Sequence, residues 1–273
     1  MLAMIQPHGV RQMRFVKPCP DNRAMTVSRP IKRTRDYTKA INGCFMKIGI
    51  LQTGKSPEQL APEFGDYGDM FERMLDGRGF EFTTYDILEH VFPKTVSEQE
   101  GWIITGSRHG AYEDHDWIPP LENLIRDIHA AKSPMIGVCF GHQIIAQALG
   151  GTVEKFDGGW SVGRVEYDAG GETLPLFAWH QDQVITPPKG AKTVASTDFC
   201  AHAALTIGEH IYTIQPHPEF DAGFVTGLAN TRAKGVVPDD QRIAAIKSAD
   251  KPVAKEHMAN HFETFLKQGN ANG

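Results

Sequence analysis

The sequence has 273 residues, 41% hydrophobic and 22% charged, which is the balance of an ordinary globular protein able to bury a substantial core. Residues 1–45 hold nine Lys or Arg against two Asp (+7), which leaves 19 basic and 31 acidic residues in the rest of the chain (−12). This acidic body disfavours nucleic acid as a partner, because phosphate binding needs a basic face. No apolar run reaches the roughly 18–20 residues needed to cross a bilayer, so we expect no membrane association.

The four cysteines stand apart in the sequence, at Cys19, Cys44, Cys139 and Cys200, and none forms a CxxC pair. A domain of this size does not depend on disulfides, so the pattern predicts free thiols and a reducing, cytoplasmic location. Cys200 has no base motif near it in the sequence and is predicted to be an inert thiol.

The first 45 residues contain scattered prolines and arginines and show neither a helical nor a strand period. We interpret residues 1–45 as a basic, disordered extension or as a stretch translated from a start codon ahead of Met46. A secretory signal is excluded because there is no long apolar segment. An organelle transit peptide and, more weakly, a nucleic-acid-binding arm are the alternatives. The folded domain is predicted to span residues 46–273.

From Met46 onward, short apolar runs alternate with helical patterns. Strands are predicted at 47–51, 80–87, 101–106 and 133–139, and helices at 65–79, 117–131 and 141–151. Shorter strands are predicted at 152–156, 162–168, 176–180, 193–197, 204–208 and 211–215, and helices from Asp221 to the end. The alternation predicts an α/β fold with a mostly parallel sheet covered on both faces, to which the middle group adds antiparallel strands.

The stretch Met135-Ile-Gly-Val-Cys-Phe-Gly-His-Gln takes a buried strand directly into a helix, with Cys139 at the junction and glycines two residues away on each side. This G-x-nucleophile-x-G pattern is typical of a sharp turn that presents a nucleophile at the sheet edge. The following helix directs its positive end at the sulfur and favours thiolate. On this motif alone, a buried structural cysteine before a glycine turn is an equally good interpretation.

A second motif favours catalysis. The strand IYTIQ runs into Pro216-His217-Pro218-Glu219. A thiolate needs an imidazole partner, and that imidazole needs an orienting carboxylate. Since His217 and Glu219 lie two residues apart at the end of a strand, both side chains can project from one edge. Cys139, His217 and Glu219 are therefore predicted to form a catalytic triad.

The paired motifs GVCFGHQ and QPHPEF resemble those of the class I, triad-type glutamine amidotransferases, over nearly all of residues 46–273. The resemblance implies a flavodoxin-like three-layer α/β/α fold, no cofactor, and attack of Cys139 on the glutamine carboxamide with His217 as base and Glu219 as orienting group. The wording GSRHGAYED is most similar to a free-standing subgroup that includes GMP-synthase-like proteins and plant γ-glutamyl peptidases.

The resemblance also implies binding roles. The backbone N–H groups of Gly106, Ser107 and Phe140 are expected to form the oxyanion hole, although many family members carry two adjacent glycines where this chain has Gly-Ser. Gln143 matches a position that contacts the substrate glutamine. In GGWSVG, Trp160 and Ser161 lie where the family builds a loop flanking the substrate; a β-turn with a packing tryptophan is the alternative interpretation.

Two groups of residues raise the question of a metal. His180 and Asp182 lie in one apparent strand, whose alternating faces explain them without a metal, and His109, His115 and Asp116 lie between a strand and a helix. Neither group has a third ligand at a suitable spacing, so we expect no metal site.

Three functions remain open. The first is glutamine hydrolysis that supplies ammonia to an acceptor on a separate synthetase subunit. The second is hydrolysis of γ-glutamyl peptides with water as the acceptor, which the absence of a following synthetase domain slightly favours. The third is a catalytically silent α/β module that binds a partner, and the intact Cys-His-Glu set argues against it.

Overall fold

The computed structural model describes residues 45–270. The predicted extension at residues 1–45 therefore lies outside the described residues except for its last residue, and so do Cys19 and Cys44. Within residues 45–270, no helix is both long and apolar enough to span a membrane.

The first half of the domain follows the predicted alternation of strands and helices. Its elements are β1 (Met46–Gln52), α1 (Ala61–Phe64), α2 (Tyr67–Met74), β2 (Phe80–Asp86), β3 (Gly101–Ile104), α3 (Ile118–Ala130), β4 (Met135–Val138) and α4 (Phe140–Ala148). Two short 3-10 turns, Ile87–Glu89 and Val96–Glu98, connect β2 to β3. The four-residue helix α1 has too few residues to show a period, so the pattern did not predict it.

The second half begins with short strands and ends in helices. Its elements are β5 (Thr152–Lys155), β6 (Ser161–Asp168), β7 (Thr173–His180), β8 (Asp182–Thr186), β9 (Ala191–Ala195), β10 (Ala204–Ile207), β11 (Ile211–Ile214), α5 (Ala222–Asn230), α6 (Asp239–Ser248) and α7 (Lys255–Asn270). The apparent strand around His180 is divided at Gln181 into β7 and β8, which pair with different partners.

The central sheet has seven strands in the order β2-β1-β3-β4-β11-β10-β9. The first five are parallel to one another, and the β11–β10 and β10–β9 pairings are antiparallel. Two antiparallel pairs, β5–β8 and β6–β7, form separate small sheets. The predicted mostly parallel sheet with added antiparallel strands is confirmed.

Each face of the sheet has its own hydrophobic core. Along β3, Ile103 packs into the core formed with α2 and α7, whereas Trp102 and Ile104 pack into the core formed with α3 and α4. Because strand side chains alternate between faces, continuous apolar strands are what a doubly covered sheet requires. Helix α3 buries Ile118, Leu121, Leu124, Ile125 and Ile128, a stripe at helical spacing. Its two prolines stand in the first turn, where a missing N–H costs little.

Because β3, β4 and β11 are parallel, the residues that follow them meet at one edge of the sheet. Gly106 comes two residues after β3, Cys139 directly after β4, and His217 shortly after β11. The carboxyl edge is where open parallel sheets usually place their ligand sites.

Candidate active site

The turn between β4 and α4 holds Cys139 in a conformation that few side chains adopt, with φ 54° and ψ −104°. The two glycines make this turn possible. A methyl group on Gly137 would lie 2.5 Å from the carbonyl oxygen of Gly141, and one on Gly141 would overlap the backbone of Ile104. The N–H of Cys139 donates to the carbonyl oxygen of Ile214 at 2.9 Å, which fixes the elbow against β11. The geometry is that of a strained, presented nucleophile.

Three contacts position His217. Its backbone N–H donates to the carbonyl oxygen of Phe177 at 2.7 Å, and its ring nitrogen Nδ1 lies 2.6 Å from Oε1 of Glu219. Its ring stacks on Phe220 with the centroids 4.0 Å apart. The side chains of His217 and Glu219 are 4% and 0% exposed. With Nδ1 engaged by the carboxylate, Nε2 is left for a reacting group, as in a catalytic triad.

The charge state of His217 follows from these contacts. Burial lowers its pKa, but the charges of Glu219 and Cys139 and hydrogen bonds to both outweigh burial and raise the pKa to about 10. The imidazole is therefore protonated at neutral pH and places a positive charge beside Cys139.

The loop after β3 is tied to the elbow by two threonines. The carbonyl oxygen of Gly106 accepts hydrogen bonds from the hydroxyls of Thr105 and Thr53, at 3.1 and 3.3 Å. The carbonyl oxygen of Thr105 accepts from the Thr53 hydroxyl at 2.9 Å and from the N–H of Gly141 at 3.1 Å. These hydrogen bonds fix the orientation of the carbonyl groups of Thr105 and Gly106.

The same loop carries two of the predicted oxyanion-hole donors, the N–H groups of Gly106 and Ser107. In a trans peptide the N–H points opposite to the C=O of the preceding residue, so both N–H groups point away from the groups that bind those carbonyls. Phe140 is the first residue of α4, so its N–H has no acceptor within the helix. Ser107 and Cys139 line the same cavity. The three predicted donors therefore lie on the two turns that meet at Cys139.

A cavity of about 400 Å³ opens above the cysteine. It is lined by Cys139 and His217 and by the predicted substrate residues Gln143 and Trp160. Ser161, although predicted with Trp160, does not line it; Ser161 lines a neighbouring depression instead. Trp160 lines both this depression and the cavity, and it lies just before β6, which begins at Ser161.

Gln143 is oriented by two contacts of its side-chain nitrogen. Nε2 donates to the carbonyl oxygen of Asp182 at 2.9 Å and to Oε1 of Gln215 at 3.1 Å. With both amide hydrogens engaged, the side-chain oxygen remains as an acceptor on the cavity wall. A carbonyl oxygen there can accept a hydrogen bond from an ammonium group such as the α-amino group of a γ-glutamyl substrate.

Several lining residues were not predicted from the sequence. Tyr67 in α2 is buried, which raises the pKa of its hydroxyl to about 12, and Nη1 of Arg232 lies 3.4 Å from this hydroxyl. Trp179 in β7 adds an aromatic wall. Outside the cavity, Nζ of Lys255 donates to the carbonyl oxygen of Glu219 at 3.0 Å and so supports the turn that carries His217 and Glu219. These residues come from distant segments, so no local motif in the sequence indicated them.

Neither set of residues considered as metal ligands in the sequence comes together as a whole in the structure. His180 is buried, which lowers its pKa to about 4, so it is uncharged at neutral pH; its Nδ1 lies 3.2 Å from the carbonyl oxygen of Asp182. Asp116 contacts His90 at 3.4 Å, not His109 or His115.

Comparison with known proteins agrees with this geometry. The family model "Glutamine amidotransferase class-I" matches residues 66–224, more than half of the chain. The chain is 26% identical to gamma-glutamyl peptidase 2 of Arabidopsis thaliana over 237 residues, covering 81% of this chain and 96% of that one. It is 28% identical to the glutamine-hydrolyzing GMP synthase of Thermotoga maritima over 163 residues, covering 56% of this chain and 31% of that one.

Among solved structures, a glutamine amido transferase from Methylobacillus flagellatus superposes with a TM-score of 0.67 at 21% identity, covering 84% of this chain and 95% of that one. A glutamine amidotransferase from Thermotoga maritima gives the same TM-score at 18% identity and covers 82% and 98%. At these identities the likeness shows the fold. The predicted flavodoxin-like fold and the family resemblance are confirmed.

Proposed function

Because the chain belongs to the class I glutamine amidotransferase family, we propose that it hydrolyses the γ-amide bond of glutamine or of a γ-glutamyl compound through a thioester on Cys139. The observation that carries this proposal is that Glu219 contacts His217, and His217 in turn contacts Cys139 at the wall of the cavity. It provides a nucleophile, a proton donor and an orienting carboxylate in one place.

The steps follow from these groups. The Cys139 thiolate attacks the amide carbon, and the oxyanion that forms is stabilised by the N–H groups of Phe140 and the loop at Gly106 and Ser107. The C–N bond breaks as His217 gives its proton to the leaving nitrogen, which departs as ammonia or as the amine of a peptide. The neutral imidazole then takes a proton from water, whose oxygen attacks the thioester carbon; the C–S bond breaks, which releases the γ-carboxylate and restores the Cys139 thiolate beside the protonated His217.

The proposed mechanism is compatible with two classes of substrate. Glutamine would release ammonia, which a separate acceptor or synthetase subunit would consume, as the similarity to a GMP synthase supports. A γ-glutamyl peptide would release an amino acid or peptide, as the similarity to a gamma-glutamyl peptidase supports.

The cavity favours the γ-glutamyl peptide. About 400 Å³ is in the range that holds drug-sized ligands, which are much larger than one free amino acid. Besides Cys139 and His217, its wall carries the aromatic rings of Trp160, Trp179 and Tyr112, which suit a second residue beyond the scissile bond.

The test measures glutamate release by the full chain from glutamine and from several γ-glutamyl dipeptides, alongside intact mass after exposure to a glutamine-like chloroketone. We expect one adduct, mapped to Cys139, and faster turnover of a dipeptide than of glutamine. An adduct with turnover of glutamine alone would favour the glutaminase. An adduct without turnover would indicate a missing acceptor subunit, and no adduct would contradict the thioester mechanism.

A further inference from the structure

Three metal-ligating side chains meet on the loop between β3 and α3. Oε2 of Glu113 lies 2.8 Å from Nε2 of His115 and 3.4 Å from Nδ1 of His109. One ligand atom from each of the three residues lies within 4.8 Å of the others. Among the described residues, this is the set of three His, Cys, Asp or Glu side chains close enough to hold one metal ion. None of the three has a part in the proposed hydrolysis.

The loop holds this cluster by local contacts. The N–H of Glu113 donates to the carbonyl oxygen of Gly110 at 3.1 Å, and the N–H of His115 donates to the carbonyl oxygen of Glu113 at 3.0 Å. The ring of His115 stacks on Trp117 with the centroids 5.5 Å apart and the planes 11° apart. The ring of His109 packs edge-on against His115 at 4.3 Å. Two turns and an aromatic stack thus bring the three side chains together before any ligand binds.

We propose that His109, Glu113 and His115 form a binding site for Zn²⁺ or a similar first-row transition-metal ion. Two imidazole nitrogens and one carboxylate oxygen are a ligand set that Zn²⁺ uses, with bonds of about 2.0–2.2 Å in a tetrahedral arrangement. Tetrahedral bonds of that length place ligand atoms about 3.3 Å apart. The two distances from Glu113 lie on either side of this value, and all three ligand atoms lie within 4.8 Å of one another. The fourth position is left for water.

The three proposed ligands are accessible from solvent. The side chains of His109, His115 and Glu113 are 19, 31 and 43% exposed, so an ion from solvent can reach all three.

The positive charge of Arg108 disfavours metal binding at this site, and this effect provides a test of the proposal. Its Nε lies 3.5 Å from Nε2 of His109, so its positive charge stands beside the proposed cation. Two like charges this close repel each other, and removal of the guanidinium should strengthen metal binding. A merely fortuitous affinity of the chain for Zn²⁺ elsewhere would not respond to this change.

The site also borders the catalytic cavity, because His109 and Glu113 line the same cavity as Cys139. The catalytic thiol can itself bind Zn²⁺, so inhibition of turnover by zinc would not separate the two sites. Binding is therefore measured on the full chain carrying Cys139→Ser. Zn²⁺ is titrated by calorimetry and Co²⁺ by visible absorption, where a sulfur ligand would add a charge-transfer band.

We expect one Zn²⁺ per chain and a Co²⁺ spectrum without that band. His115→Ala and Glu113→Gln, each in the Cys139→Ser background, should weaken binding at least about tenfold. Arg108→Gln should strengthen it by a few fold. His90→Ala, which alters the adjacent exposed His90–Asp116 contact, should leave it unchanged.

The reference is Cys139→Ser/His109→Ala/His115→Ala, which retains every other cysteine and histidine of the Cys139→Ser protein. If this protein binds Zn²⁺ as tightly as Cys139→Ser does, or if the Co²⁺ spectrum shows a sulfur ligand, the site is not formed by these three residues and the proposal fails. Neither outcome bears on the proposed hydrolysis, since no measurement here uses turnover.

Discussion

Nδ1 of His217 lies 2.6 Å from Oε1 of Glu219, and both side chains are almost completely buried. Oε2 of the same carboxylate has no hydrogen-bond partner among the described residues. The contact with the imidazole is therefore the main interaction that offsets the loss of hydration when the carboxylate is buried. A buried carboxylate without a partner is costly, so the contact with His217 stabilises the fold in addition to its role in the proposed hydrolysis. The same contact fixes the ring orientation that the proposed proton transfers require.

The raised pKa of His217 predicts a pH dependence of stability. The unfolded imidazole has its usual pKa of 6.5, whereas the folded one has a pKa of about 10. Between these values the folded protein holds a proton that the unfolded chain has lost. This contribution to the free energy of unfolding should be complete below about pH 6.5 and should disappear as the pH rises toward 10.

Glu219→Gln tests the source of this dependence. Loss of the carboxylate charge should lower the pKa of His217 and flatten the decline in unfolding free energy, measured by urea denaturation at several pH values. Glu172→Gln is a matched control, because Glu172 contacts His257 at 3.8 Å in an exposed pair. An unchanged decline in Glu219→Gln would show that Glu219 does not set the pKa of His217.

Cys139→Ser should fold normally and lose at least about a thousandfold in turnover on every γ-glutamyl substrate, because the chemistry loses its nucleophile. Cys200→Ala should keep turnover within a few fold. Burial raises the pKa of the Cys200 thiol to about 12, so that it stays protonated and unreactive. Glu219→Gln should be impaired less than Cys139→Ser, since it removes an orienting group. Near-normal turnover in Cys139→Ser would mean that another residue attacks the amide.

The sequence predicted the parts of this site that local chain geometry determines. GxCxG specifies a strand-to-helix turn because bulk at Gly137 or Gly141 would collide with the backbone, and the structure shows the positive φ at Cys139 that the motif requires. His217 and Glu219 were predicted from two residues at one strand end. The parallel order of β3, β4 and β11 then brings these motifs to one edge.

The sequence could not predict the parts that depend on tertiary packing. Tyr67 and Arg232 lie 165 positions apart and meet only in the folded cavity. Glu113 was overlooked as a neighbour of His109 and His115 because the turn geometry, not the spacing, brings it between them. Ser161 was predicted with Trp160 from the family's substrate-flanking loop, and of the two only Trp160 lines the cavity, although both line the neighbouring depression.

Gly106 should be sensitive to a single methyl group. A Cβ on this residue would lie 2.8 Å from Cε1 of His217 and 3.7 Å from Cβ of Cys139, so the imidazole would have to move. A displacement of this order in a catalytic group costs roughly tenfold to a hundredfold in rate. We expect Gly106→Ala to lower kcat by that factor with little change in the melting temperature. The measurement is steady-state kinetics on the best γ-glutamyl substrate together with thermal unfolding.

Gly223→Ala is the control for Gly106→Ala. Gly223 lies in α5, away from the cavity wall, and a Cβ there would come no closer than 3.1 Å to the ring edge of Phe64. Its kcat should match that of the unmodified chain. Full activity in Gly106→Ala would indicate that His217 does not need its present position for turnover.

Substitutions of the adjacent residues Trp160 and Ser161 distinguish between the two proposed substrates. Trp160 lines the cavity beside Cys139 and also the neighbouring depression, whereas Ser161 lines the depression but not the cavity. If the cavity holds a γ-glutamyl peptide, the Trp160 ring contacts the part of the substrate beyond the scissile bond. Trp160→Ala should then raise KM for γ-glutamyl dipeptides about tenfold, the effect of losing part of an aromatic contact, and raise KM for glutamine much less. Ser161→Ala should change neither value. An equal effect of Trp160→Ala on both substrates would place the ring against the shared γ-glutamyl group, and no effect on either would remove Trp160 from the binding site.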